Sequence, residues 1–348
     1  MISRVKISSA YWGWLRFSPM RKGWWENYYF DTRDSLDEYD YWVVLGDMDS
    51  SESAICSSDR VFLVVFEPPE IKKGYTDEFL AQFSAVMTCR RDISHGRLII
   101  TPPPLPGMMN PHYAGEDGER KIYDQLKDYD QLKNMSPIQK QKIVSTICSY
   151  KLITGIQQKR VELTNYLEDA LSEYAIDVYG YPRNYIADKW DAVYPYQYHI
   201  AVENSVNPNY WTEKVSDAFL GYSYPFYYGC PNLEEFFPRK SFSYIDVEDP
   251  EKTLWIIKKS IKEEYHRKYA EHVREARSLV LDKYSIFPYL VSQLDKMGKG
   301  TGTRKKITLK AERTNTVPIT LKAINRFLPE NSRRRLIAKS IRDRLVRL

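Results

Sequence analysis

The sequence predicts an α/β fold with two parallel-sheet domains, and three observations carry that reading. Short runs that are apolar throughout, such as VFLVVF at 61–66, read as strands buried on both faces. From residue 142 onward such runs alternate with amphipathic helical stretches, the pattern of a parallel sheet covered on both sides. A length of 348 residues accommodates two domains of ordinary size.

Taken in order, residues 1–58 are aromatic and irregular, with one apolar segment at 41–45. The 61–66 strand stops at Glu67-Pro68-Pro69, because two prolines cannot continue a ladder. Thr76 followed by Asp77 and Glu78 reads as a helix start, with a capping hydroxyl and acids in the first turn. Residues 85–89 and 98–100 are further short strands. Pro102-Pro103-Pro104 and the stretch to about 140 read as loop and polar helix, a domain boundary. Beyond it, strands are expected at 142–149, 176–179, 198–202, 224–228 and 242–245. Helices are expected at 157–174 and 212–222, and a helical region opens at Asp249-Pro250 and runs to about 297. The predicted division is 1–140, 141–297, and a basic tail from 298 to 348.

Composition narrows the function classes. Apolar residues at 43% and charged residues at 28% fit an ordinary globular protein. Cys56, Cys89, Cys148 and Cys230 are widely spaced, with no pairing that suggests a disulfide framework or a zinc site. Cys89 and Cys148 read as small buried hydrophobes. No apolar run approaches the roughly 18 residues of a membrane span, and the first residues do not resemble a signal peptide, so the cytoplasm is the expected compartment. The net charge of +5 conceals an asymmetry: residues 298–348 hold 15 basic and 3 acidic residues (+12), leaving −7 for the rest. A tail of that kind attracts something anionic.

The segment from Glu203 to Lys214 follows a strand and opens a helix. Ligands of open α/β sheets bind beyond the carboxyl ends of strands. A helix N-terminus there offers free N–H groups to a phosphate, and Lys214 adds a full charge. On residue types alone, Thr212 as a routine cap, Glu213 as a dipole complement and Lys214 as a solvated surface residue read equally well.

Glu203-Asn204-Ser205, then Tyr210, Thr212-Glu213-Lys214, Asp217-Ala218-Phe219, Pro225, Tyr228-Gly229, Asn232, Phe237-Pro238 and Ser241-Phe242 together resemble the donor-site signature of the α-1,3/4-fucosyltransferases. Arg160-Val161 with the following strand at 176–180 resembles that family's upstream arginine helix, and Glu67-Pro68-Pro69 its acidic segment. The resemblance implies a GT-B-like fold, two Rossmann-type domains facing a cleft, with the acceptor on the first and a GDP-sugar on the second. It implies that Arg160 and Lys214 hold the donor diphosphate, that Glu203, Asn204, Ser205, Tyr210, Thr212 and Glu213 belong to the donor site, and that Glu67 is the general base. Glu70 and Asp77 are its rivals by position. The sequence departs from the family at Tyr150, where an asparagine is common, and around Leu105-Pro106-Gly107, which lacks an expected tryptophan.

The activity so implied is inverting transfer of L-fucose from GDP-fucose to a glycan or glycolipid hydroxyl, in surface polysaccharide or lipopolysaccharide synthesis. The alternatives are another GDP-deoxysugar, or a non-catalytic carbohydrate- or nucleic-acid-binding protein. No cofactor and no essential metal are expected. Asp47-Met48-Asp49 has the form of a metal-binding Asp-x-Asp but reads as a turn, and the five histidines show no ligand spacing. His199, inside a strand, reads as a core histidine. In the tail, a Gly/Thr linker at 298–303 leads to a helix at 331–348 with Leu336, Ile337, Ile341, Leu345 and Leu348 on one stripe and arginines around it. That is the pattern of an anionic membrane-surface anchor, so peripheral attachment is expected and nucleic acid is not.

Overall fold

The computed structural model describes residues 2–10, 13–104, 113–114, 119–120, 126–150, 154–180, 183–184, 186, 188–298 and 302–312. Two mainly parallel sheets dominate them, the α/β arrangement that the sequence predicts.

The first sheet contains β1 (Ser3–Ser8), β2 (Trp24–Trp25), β3 (Tyr28–Asp31), β4 (Tyr41–Leu45), β6 (Val61–Val64), β7 (Ala85–Thr88) and β8 (Leu98–Ile100), while β5 (Glu52–Cys56) lies outside it. Their order is β2-β3-β1-β4-β6-β7-β8, with every pair parallel except β2 and β3. Both faces are covered. Val5, Val43 and Phe62 pack on one side, and Trp42, Val44 and Leu63 on the other with Phe79 of α1 (Asp77–Leu80). That two-sided burial is why the strands read as unbroken apolar runs.

A short ladder, β9 (Tyr113–Ala114) with β10 (Glu119–Arg120), and α2 (Tyr129–Asn134) precede the second sheet. That sheet holds β11 (Lys142–Ile147), β12 (Asp177–Tyr179), β13 (Tyr196–Val202), β14 (Tyr224–Tyr228) and β15 (Ser243–Tyr244), all parallel, in the order β12-β11-β13-β14-β15. The chain reverses its direction of winding between β11 and β13. In such sheets that switch point opens the crevice where ligands bind. Helices α3 (Gly155–Ala170) and α4 (Glu213–Leu220) follow β11 and β13. Then come α5 (Pro250–Lys262), α6 (Tyr265–Lys268) and α7 (Ala270–Leu279).

Three expectations need correction. Residues 1–58 hold five strands rather than one. Lys6 explains why β1 escaped notice: it is a buried lysine inside a strand, neutralised by Asp34 at 2.7 Å and Glu52 at 3.2 Å. The helical region to 297 does not stay with the second sheet. Its last helix, α8 (Ile286–Met297), buries Ile286, Phe287, Leu290 and Leu294 against the first sheet, where Phe287 meets Phe30. The basic segment after 298 is not all tail: β16 (Lys305–Leu309) pairs antiparallel with β5 and buries Leu309. The predicted helix at 331–348 lies outside the described residues, as do residues 299–301 of the linker and 105–107.

The four cysteines are buried and free, Cys89 and Cys148 among them as the small buried hydrophobes the sequence predicts. His199 is a core histidine: its Nδ1 lies 2.8 Å from Ser145 Oγ, and burial pulls its pKa down to about 3, leaving it neutral.

Candidate active site

The carboxyl ends of β11 and β13 carry the donor-side candidates. Directly after β13, Glu203 is fully buried. Its two oxygens accept from the Thr212 backbone N–H at 2.8 Å and the Thr212 hydroxyl at 2.7 Å. Thr212 is the N-cap of α4, so this carboxylate ties the start of the helix to the end of the strand. The packing leaves no room for variation. A Cβ on Gly229, which has φ +154, would stand 2.4 Å from Glu203 Cγ.

Lys214 Nζ lies 3.2 Å from Thr212 Oγ1, 3.3 Å from Glu213 and 3.4 Å from Glu203. Burial alone would lower its pKa, but Glu213 and Glu203 outweigh that and hold it above the usual lysine range. Burial likewise opposes ionisation of Glu213, yet Lys214 and Lys189 overcome it and keep that carboxyl well below the usual range. For Glu203, burial prevails and the pKa is raised.

Arg160 comes from α3, whose start is fixed by a capping box between Thr154 and Gln157. It donates to Asn204 Oδ1 at 3.0 Å and to the Ser149 carbonyl at 3.3 Å, spanning the switch point between β11 and β13. Its buried Nε has no hydrogen-bond partner. Arg160 and Lys214 are close enough for each to oppose the other's charge. Two cations and two helix N-termini brought together at the ends of β11 and β13 suit a polyanion.

On the first sheet, Glu67 follows β6 and remains exposed. It makes no hydrogen bond with the described residues, and its carboxyl senses Glu213 and Lys214 from the other half. The side chain is open to solvent but crowded by protein from both halves, and that partial loss of hydration, then Glu213, raises its pKa while Lys214 and Lys72 pull it down. The two halves therefore meet at this carboxylate. They also touch directly, since the Ser205 hydroxyl donates to Glu70 at 2.7 Å. Arg90 braces the Glu67 loop from below, donating to the Lys72 and Lys73 carbonyls at 2.5 and 3.2 Å.

All nine residues singled out from sequence gather around this cleft, but in different layers. Glu203, Ser205, Tyr210 and Thr212 are buried beneath it and act as framework. Asn204, Glu213 and Lys214 reach its surface. Asp77 is a first-turn residue of α1, and Asp47 caps its own turn through the Met48 N–H and faces Lys72 at 3.6 Å. Among the described residues no three His, Cys, Asp or Glu side chains converge as metal ligands. Sequence reasoning missed Lys189, a buried lysine 3.4 Å from Glu213 and 3.6 Å from Asp217. A lone lysine in a short 3₁₀ turn carries no signal of such a role.

Residues 137–277 match the sequence profile of glycosyltransferase family 10 (fucosyltransferase), C-terminal part. No curated protein is significantly similar in sequence. Among solved structures, the chain is similar to an α1,3-fucosyltransferase with GDP-fucose (14% identity, 87% of this chain and 93% of that one, TM-score 0.45). An α1,3-fucosyltransferase with GDP gives 13% identity over 86% and 91%, TM-score 0.43. A glycosyltransferase from Rickettsia africae ESF-5 gives 9% over 85% and 97%, TM-score 0.41.

Proposed function

We propose that this chain, a glycosyltransferase whose residues 137–277 are those of a family 10 C-terminal domain, transfers L-fucose from GDP-fucose to a glycan hydroxyl with inversion. The observation that carries the reading is the meeting of the Glu67 loop with the donor half: Ser205 Oγ donates to Glu70 at 2.7 Å, and the Glu67 carboxylate, with a raised pKa, lies within electrostatic reach of Lys214 and Glu213. A raised pKa makes a stronger base, and a base held near the transferred sugar can take the acceptor's proton as the acceptor oxygen attacks the anomeric carbon. The bond to the diphosphate breaks on the opposite face, and GDP leaves with the electron pair. Lys214, Arg160 and the N-termini of α3 and α4 are fixed in advance to stabilise that charge, so the reaction as proposed requires no metal.

The donor side is tested by calorimetric titration with GDP, GDP-fucose and UDP. GDP and GDP-fucose are expected to bind and UDP to bind weakly or not at all. Lys214→Ala and Arg160→Ala are each expected to weaken GDP by roughly 30-fold or more, the scale of one lost charge-assisted contact in a buried site. A preference for UDP would discard the guanine reading.

The acceptor is proposed to be a surface glycan or glycolipid, with the basic segment at 331–348 holding the enzyme peripherally on anionic lipid at the cytoplasmic face. Among the described residues no helix is long and apolar enough to cross a membrane. Flotation with phosphatidylglycerol vesicles should recover the full chain and lose it when 331–348 are deleted. Equal recovery of both would sink the anchor.

A further inference from the structure

The donor crevice holds more charge than a diphosphate clamp requires. Beneath and around Lys214 lie three carboxylates, Glu203, Glu213 and Asp217, of which Glu203 and Asp217 are almost wholly buried. Opposite them stand three cations: Lys214, Arg160 and Lys189. Lys189 is itself buried, 3.4 Å from Glu213 Oε1 and 3.6 Å from Asp217 Oδ2. It reaches the cluster from the 3₁₀ turn at Lys189–Ala192, which Asp188 caps by accepting from the Trp190 N–H at 2.9 Å.

Among the described residues the partners of Lys214 are Thr212, Glu213 and Glu203, all within its own neighbourhood. To engage a diphosphate it must loosen its hold on Glu213. That would strand a carboxylate against an incoming dianion unless another cation kept it neutralised. Lys189 is the only other cation within ion-pair distance of Glu213 among the described residues.

We propose that Lys189 is a positioning residue for the donor site: it holds the charge of Glu213 and so frees Lys214 for a nucleoside diphosphate. The assignment rests on the donor reading above and extends it to a residue that does not touch the ligand. Lys189 offsets negative charge that Glu213 and Asp217 bring to the crevice. Without it the crevice is more negative and repels the ligand. Without Asp217 it is more positive and attracts it.

Those opposite signs make the test. GDP affinity is measured by calorimetry for wild type, Lys189→Met, Lys189→Arg and Asp217→Asn, each checked for folding by thermal denaturation. Lys189→Met is expected to bind GDP about tenfold more weakly, Lys189→Arg close to wild type, and Asp217→Asn at least as tightly as wild type, by up to a few-fold. Damage to packing alone would weaken Lys189→Met and Asp217→Asn together, and that result, or an unchanged Lys189→Met, overturns the assignment. Should Lys189→Met fail to fold, a weakened Asp217→Asn suffices to reject it. Inorganic pyrophosphate is titrated in parallel. Wild type that binds pyrophosphate but not GDP removes the nucleotide reading and leaves the charge assignment to be decided by the same variants on pyrophosphate. Binding of neither removes both.

Discussion

The two sides of the cleft are built by different rules. On the second half every charged group near the crevice is held by side-chain partners: Glu203 clasps Thr212, Lys214 sits among three oxygens, and Glu213 lies between two lysines. On the first half Glu67 has no such partner among the described residues and stays exposed, and its loop is held by its backbone, through carbonyls bound to Arg90. One side is preorganised for a fixed anion. The other fixes the position of a carboxylate while leaving its oxygens open for a proton. A side chain that must gain and release a proton each turnover cannot also be spent on structural hydrogen bonds.

The sharpest break of that contrast is Glu67→Gln. Turnover is expected to fall by about 10²–10⁴-fold, the usual loss for a general base, with GDP affinity unchanged in calorimetry. In wild type the base must be ionised. Because its pKa is raised, activity should decline with falling pH from a point above the ordinary glutamate value. An acid limb at or below that value would show that another group takes the proton.

A smaller break is Gly229→Ala. The added Cβ has no space beside Glu203, and φ +154 is a glycine conformation. A cost of about 1–3 kcal/mol in chemical denaturation is expected, with weaker GDP binding as Glu203 shifts under Thr212 and Lys214. An unchanged midpoint would mean that the turn relaxes without disturbing the carboxylate.

The smallest effect should come from Glu70→Gln. Its amide oxygen can still accept from Ser205, so turnover is expected to stay within about threefold of wild type. Loss equal to that of Glu67→Gln would transfer the base to Glu70.

The same contrast explains what the sequence revealed. The second half announces itself because its central strands β13 and β14 are buried almost throughout and α3 and α4 open on capping threonines, Thr154 and Thr212. Glu203 to Lys214 was legible for the same reason: a strand end, a cap and a helix start follow one another within twelve residues. The first half was obscure because its logic is non-local. Lys6 can lie in a core strand only because Asp34 and Glu52 come from elsewhere to meet it. Lys189 was invisible for that reason too, since its partners lie some 24 and 28 residues away on α4. The depth of Glu203, Ser205 and Tyr210 also could not be read, because a signature gives residue types in order and burial depends on how strands and loops stack.

The pairing of β16 with β5 bears on how far the chain can be shortened. Removing everything after α8 would strip β5 of its antiparallel neighbour and open the pocket that Leu309 fills. The uncovered strand, with Ile55 already exposed, would present free N–H and C=O groups to any other chain in solution. A trimmed protein that stops before residue 305 would thus self-associate for reasons unrelated to the basic segment. One that ends just past Ala311 keeps the edge closed and isolates what that segment does.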